Sequence, residues 1–253
     1  MIEMRGRKAL VTGAAQGLGL AIARLFVERG AQVMLADIDA PGAAKAADEL
    51  GPMARSIRCN VTSADDMAKA VEATVAAFGG MDTLVNNAGI EIVKPLFEHS
   101  EDEYQRIMDI NVKGVFLGMR AALAPLVAAG NGAIVNMSSL AGTNGVPLFG
   151  MYAASKAAVI QLSRVAAAEL RPTGIRVNAV CPGFVGTAMV DRLIPTVEAI
   201  VGVPFSALVA VKQQRLGTPA EVAEMVAFLA SDAASFTTGA HFDLDGGLSA
   251  GLL

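Results

Sequence analysis

A tyrosine and a lysine four residues apart stand out first in this 253-residue chain: Tyr152 and Lys156, in Tyr152-Ala153-Ala154-Ser155-Lys156. At that spacing both side chains share one face of a helix, one turn apart. A phenol ordinarily titrates near ~10. A neighbouring ammonium favours the phenolate and lowers that value, which would make Tyr152 an acid/base near neutral pH. Taken alone, such a pair is equally an amphipathic helix surface. Ser139, thirteen residues earlier and just after an apolar run, shifts the balance, because its hydroxyl would face the same crevice. The chain has only two tyrosines and no tryptophan, so Tyr152 is not one of many core aromatics.

A second group of residues could hold a phosphate. Thr12-Gly13-Ala14-Ala15-Gln16-Gly17-Leu18-Gly19 joins the first strand-like run to the first helical one. Gly13 allows a tight turn out of the strand, and the later glycines let backbone approach a pyrophosphate at a helix N-terminus. Asp37 ends the second run. Its carboxylate can accept from both hydroxyls of an adenosine ribose and would repel a 2′-phosphate, which favours NAD over NADP. Neither Ile38 nor Ala14-Ala15 supplies a base to offset that repulsion. Asn86-Asn87-Ala88-Gly89 closes the fourth run, where small residues let a flat ligand lie against the backbone.

Repeating elements must position these residues. Lys8 to Thr12, Gln32 to Ala36, Ser56 to Val61, Thr83 to Asn86, Ala133 to Met137, Ile175 to Val180 and His241 to Leu244 read as strands. Helices are expected over Leu18 to Gly30, Ala43 to Leu50, from an N-cap at Ser63 to Gly79-Gly80, over Ser100 to Leu126 with a break near Asn111, over Tyr152 to Arg171 and over Pro219 to Ser231. Strands apolar on both faces, joined by helix-length crossovers, predict a Rossmann-type doubly wound α/β fold: a parallel seven-stranded sheet with helices on both faces. No linker divides the chain, so residues 1–253 read as a single domain.

Composition removes other classes. Apolar residues make up 53% and charged residues 17% of the chain. The longest charge-free stretch, Ala121 to Ser155, is long enough to span a membrane, but prolines and glycines interrupt it repeatedly. Met1 to Lys8 is charged and shows no signal-peptide pattern. A cytoplasmic protein with no membrane association is expected. A net charge of −4 leaves no electrostatic footprint for nucleic acid. Cys59 and Cys181 lie outside any metal or redox spacing, and no metal site is expected. Asn136-Met137-Ser138-Ser139-Leu140 lacks the nucleophile elbow of a hydrolase.

Together TGAAQGLG, Asp37, NNAG, Asn111, Ser139, YAASK, Pro182-Gly183 and Thr187 resemble the short-chain dehydrogenase/reductase family over essentially the whole chain. The resemblance implies an NAD(H)-dependent oxidoreductase that interconverts a secondary alcohol and a ketone by hydride transfer. It makes Tyr152 the acid/base and Ser139 the group that holds the substrate oxygen. Lys156 would bind the nicotinamide ribose and, with the positive ring, lower the tyrosine pKa. Asn111 would hold a water beside the lysine. The implied cofactor-binding residues are Gly13, Gln16, Gly17, Leu18, Gly19, Asp37, Asn60, Val61, Asn87, Ala88, Gly89, Pro182, Val185 and Thr187, besides Tyr152 and Lys156. Asn60 departs from the usual aspartate and would offer its carbonyl to the adenine amino group.

Residues 186–212 fall where the family varies its substrate lid. Met189, Leu193 and Phe205 there, with Leu148 and Phe149, suggest an apolar pocket for a cyclic, aromatic or steroid-like alcohol. Apart from Arg176, no arginine lies between Arg171 and Asp191, so a strongly acidic substrate is not favoured. The resemblance also implies a homotetramer. Two alternatives compete. An NADPH-dependent 3-oxoacyl-carrier-protein reductase is opposed by Asp37 and by the poverty of lysine. A non-catalytic dinucleotide sensor should have lost part of the Ser139-Tyr152-Lys156 set, which is intact.

Overall fold

The computed structural model describes residues 2–250; residues 1 and 251–253, the ends of the expected single domain, lie outside them. In chain order the elements are β1 (Lys8–Thr12), α1 (Gly17–Glu28), β2 (Gln32–Asp37), α2 (Ala40–Leu50), β3 (Ala54–Arg58), α3 (Ala64–Phe78), β4 (Thr83–Asn86), α4 (Glu101–Met108), α5 (Gly114–Ala129), β5 (Ala133–Met137), α6 (Gly150–Leu170), β6 (Arg176–Pro182), α7 (Ala188–Val201), α8 (Phe205–Lys212), α9 (Pro219–Ala230) and β7 (His241–Leu244).

Side-chain alternation explains why the sheet needs two helical layers. In β1, Ala9 and Val11 pack into one core and Leu10 into the other, all fully buried. In β2, Val33 and Leu35 share the first core, while Met34 and Ala36 share the second. Both faces are therefore apolar and both must be covered. Residues of α1, α2 and α9 close the first core, and residues of α3, α5 and α6 the second. All pairings are parallel, in the order β3-β2-β1-β4-β5-β6-β7. The chain thus winds outward in one direction from β1 and then in the other from β4. Between those two strands the loops at the carboxyl ends part and leave a crevice.

Four strands, β1, β4, β5 and β7, match the expected ranges, and Ser63 caps α3 as expected, accepting from Asp66 N–H at 3.2 Å. The differences are instructive. β3 ends at Arg58 rather than Val61, because Asn60 folds the chain back: its Oδ1 accepts from Thr62 N–H at 3.1 Å and Thr62 Oγ1 at 2.9 Å. α2 starts at Ala40 rather than Ala43, since Asp39 caps it and Pro41 is tolerated in a first turn. The break expected near Asn111 is not a break. Asp109–Lys113 forms a π turn, and α4 and α5 continue through it. That whole stretch, Glu101–Ala129, is long and apolar enough to cross a bilayer. In the fold, Leu117, Ala122 and Leu126 pack into the second core and Asn111 into the site.

Below the crevice runs a buried polar chain. Asn86 Nδ2 donates to Asn136 Oδ1 at 2.8 Å, and Asn136 Nδ2 donates to Ser163 Oγ at 2.9 Å. Gly118 of α5 lies against it so closely that a Cβ would overlap the Asn86 carboxamide. Gly118→Ala is expected to cost about 1–3 kcal/mol of stability, read from urea unfolding. An unchanged midpoint would contradict this packing.

Candidate active site

The crevice is a cleft of about 380 Å³. Its floor is the glycine turn. Gly13 and Gly17 have φ of +64° and +59°, conformations that glycine adopts without strain. A Cβ on Gly13 would lie 2.8 Å from Ala88 Cα, so the turn is pressed against the Asn87-Ala88 loop. Thr12 stitches the two together: its Oγ1 accepts from the N–H groups of Asn87 at 3.0 Å and Ala88 at 3.1 Å. Asn87 Nδ2 in turn donates to the carbonyls of Thr12 and Gly13. A Cβ on Gly17 would meet no atom within 4 Å and would stand in the open cleft. No side chain caps α1, and the same holds for α6 and α8, whereas Asp39, Ser63, Ser100, Thr187 and Thr218 cap the helices they precede. The first-turn amides of α1 are thereby left to an anion. Uncapped helix, open glycine and close-packed loop fit a dinucleotide pyrophosphate.

At the other end lies the acid/base group. Tyr152 and Lys156 share one face of α6, with the ammonium 5.6 Å from the ring centroid. Lys156 is buried, and its Nζ donates to Met137 O at 2.8 Å. Ser139, two residues beyond β5, accepts at its Oγ from Ala141 N–H at 3.1 Å and lies near enough to the Tyr152 phenol to favour its ionised form. Ser138 rather than Ser139 lines the cleft, and its hydroxyl donates to Lys156 O at 2.8 Å. Asn111 is fully buried and bound on both sides. Its Oδ1 accepts from Ile90 N–H, and its Nδ2 donates to Ile90 O and Ser155 Oγ, each at 2.9 Å. A Cβ on Gly89 would come within 3.3 Å of both Asn111 Oδ1 and Lys156 Nζ, which is why the loop is bare there.

The structure gathers Gly13, Gln16, Gly17, Leu18, Asp37, Asn60, Val61, Asn87, Ala88, Gly89, Tyr152, Lys156 and Thr187 around this one cleft. Gly19 is buried behind it, where a Cβ would overlap Gly13 O; its smallness serves helix-to-turn packing. Pro182 and Val185 stay outside the lining. Val185 is buried in the first core and bridges to Gly217. Asp37 is fixed at the tip of β2 by Ala15 N–H at 2.9 Å and Asp39 N–H at 3.0 Å.

These findings meet matching ones from known proteins. A family model described as Enoyl-(Acyl carrier protein) reductase matches residues 13–249. A 3-alpha-(or 20-beta)-hydroxysteroid dehydrogenase of Mycobacterium bovis is 42% identical, over 98% of this chain and 91% of its own. The chain belongs to the short-chain dehydrogenase/reductase family. A cis-4-hydroxycyclohexanecarboxylate dehydrogenase of Sinomonas cyclohexanicum is 44% identical over 96% of this chain and 97% of its own. The crystal structure of a short-chain type dehydrogenase/reductase from Mycobacterium marinum is 36% identical, with a TM-score of 0.89 over 99% of this chain and 98% of that one. The protein is thus an oxidoreductase with a Rossmann-type fold, and its family uses a nicotinamide dinucleotide.

Within this dehydrogenase/reductase three expectations change. The lysine alone does not lower the tyrosine. Burial pushes the Tyr152 phenol up to about 12, with the nearby Ser139 hydroxyl opposing the rise and Glu91 and Cys181 adding to it. Burial likewise pushes Lys156 down to about 8. The Asn60 carbonyl is already taken by Thr62, which leaves its Nδ2 donors for a ring nitrogen rather than an amino group. The strand beside Asp37 does supply a base: Arg58 is its register partner. Its guanidinium, however, reaches Asp66 at 3.3 Å. Sequence reasoning also passed over Gln213, a buried bracket whose Oε1 accepts from Phe184 N–H and whose Nε2 donates to Phe184 O. No short motif marks it, since its partner lies 29 residues away.

The lysine gives a pH test. Folded, it releases its proton near about 8; unfolded, near 10.5. Between these values the unfolded chain holds more protons, so stability rises with pH, and the burial cost is fully present below about 8. Lys156→Met should remove that rise: relative to the variant, wild type gains roughly 1–2 kcal/mol from about pH 7.5 to about pH 9.5. Parallel urea curves at the two pH values would contradict it.

Proposed function

We propose that this oxidoreductase interconverts a secondary alcohol and its ketone with NAD(H), and that Tyr152 is the catalytic acid/base. The observation that carries the reading most directly is Tyr152 beside the buried Lys156, both lining the same cleft as the uncapped end of α1. In the oxidative direction Tyr152 takes the hydroxyl proton of the alcohol while Ser139 holds the same oxygen. The nicotinamide, when bound, accepts the hydride from the carbinol carbon and contributes a positive charge that favours the phenolate. Lys156 carries a donor to the nicotinamide ribose. Asn111 fixes the Ile90 strap and Ser155, and through them the floor of the proton path.

NAD rather than NADP is supported by Asp37, whose carboxylate two amides hold in place, and by the engagement of Arg58 with Asp66. α7 and α8, bent at 94° to one another, act as the substrate lid. Their Val190, Leu193, Val197, Phe205 and Val209 pack on Phe149 and Tyr152, which supports a largely apolar, ring-bearing substrate. The residues 1–253 work as one domain in the cytoplasm, where the buried thiols Cys59 and Cys181 stay free. A homotetramer is supported by Phe116, Leu123 and Val127, exposed along α5, and by Val165, exposed on α6. A carrier-protein reductase would need an opening for an acidic partner, and the few lysines do not favour one.

Tyr152→Phe should abolish NADH formation from secondary alcohols while NADH still binds; turnover at the wild-type rate would overturn the assignment. Asp37→Ala should weaken NAD at least ~10-fold and raise the relative use of NADP. An unchanged cofactor ratio would remove the ribose role.

A further inference from the structure

The cleft holds one charge that the proton path and the cofactor cradle leave unused. Its charged lining residues are Asp37, Lys156 and Arg192. Asp37 is held by two backbone amides and Lys156 by Met137 O. Arg192 makes no ion pair among the described residues. Helical spacing puts it where it is. Val190, Leu193 and Val197 form the buried face of α7, so Ala188 and Arg192, one turn apart, fall on the face that lines the cleft.

Arg192 stands at the catalytic end. Glu91, two residues beyond Gly89, lies within electrostatic reach of Arg192, Lys156 and Tyr152. Burial raises the Glu91 carboxyl and the Arg192 charge opposes that rise, yet the two make no ion pair within 4 Å. The exposed guanidinium thus stands without an ion-pair partner beside apolar lining from Ile90, Ile110 and Met189. An apolar body with a remote acid matches that lining. A guanidinium also presents a planar fork suited to a carboxylate.

We propose that Arg192 binds a carboxylate at the far end of the substrate, so that the enzyme selects ring alcohols bearing an acid group over neutral ones. This rests on the secondary-alcohol reading above and names its substrate class. It also reverses the expectation that acidic substrates are disfavoured, which rested on a stretch of chain ending one residue before Arg192.

The test is calorimetric binding of two unreactive analogues, cyclohexanecarboxylate and cyclohexanecarboxamide, to the enzyme saturated with NADH. Wild type should prefer the carboxylate. Arg192→Gln should weaken the carboxylate by ~10-fold or more, and Arg192→Lys by less, with the amide unchanged. Equal effects on both analogues, or no carboxylate preference in wild type, would overturn the proposal. So would a fall in NADH affinity alone, which would assign Arg192 to the cofactor pyrophosphate. A separate arm follows NADH formation from a panel of secondary alcohols. Failure there would defeat the secondary-alcohol reading while the calorimetric result stands by itself.

Discussion

Lys156 carries an ammonium into a buried site and finds one carbonyl there, Met137 O at 2.8 Å. Taking such a charge from water costs several kcal/mol unless it is well paired, and the lysine responds by titrating near about 8. The surrounding chain is arranged around this residue. Ser138 donates to its carbonyl oxygen, and a Cβ on Gly142 would lie 2.8 Å from its carbonyl carbon. Gly89 is bare where a Cβ would press on Nζ. The π turn brings Asn111 against Ser155, the residue just before the lysine. Four separate segments thus meet at Lys156 or at its neighbour Ser155.

From the lysine the coupling runs outward through aromatic rings. Tyr152 meets Phe149 edge-on at 6.2 Å, Phe149 meets Phe184 at 6.5 Å, and Phe184 meets Phe205 of α8 at 5.0 Å. Such edge-to-face pairs contribute about 0.5–1.5 kcal/mol each beyond burial. They fix the position of α7 and α8 relative to the phenol. Gln213 holds the other root of that helical pair, bracketing Phe184 from both its N–H and its carbonyl. The same α7 that buries Leu193 in this cluster turns Arg192 to the cleft.

Local patterns were legible in the sequence wherever they are set by neighbours in the chain. Short apolar runs marked β1, β4, β5 and β7 to the residue, and Ser63 followed by two acids marked a helix start that the structure has. The thirteen-residue spacing chose Ser139 over Ser138, and the Ser138 hydroxyl is indeed engaged elsewhere, on Lys156 O. Illegible features depend on distant contacts. The π turn exists because Asn111 reaches Ile90 and Ser155, and no periodicity records that. The packing of Phe149 and the α7–α8 cluster against the half-buried Tyr152 is a tertiary fact, so spacing suggested a lowered phenol where desolvation raises it. Asn60 was given an acceptor's role because its engagement by Thr62 cannot be seen in residue types.

The central claim is that this protein's own side chains keep Tyr152 protonated and that the phenol becomes a usable base only beside a positive nicotinamide. The chain contains two tyrosines and no tryptophan, and the second tyrosine, Tyr104, is exposed on α4. Tyr104→Phe therefore leaves a single phenol whose ionisation absorbance can be followed directly. Without cofactor, no tyrosinate signal should appear up to about pH 10, the ordinary phenol value. With saturating NAD, the signal should appear at least about one pH unit lower. A phenol that ionises at the same pH with and without NAD would contradict the account.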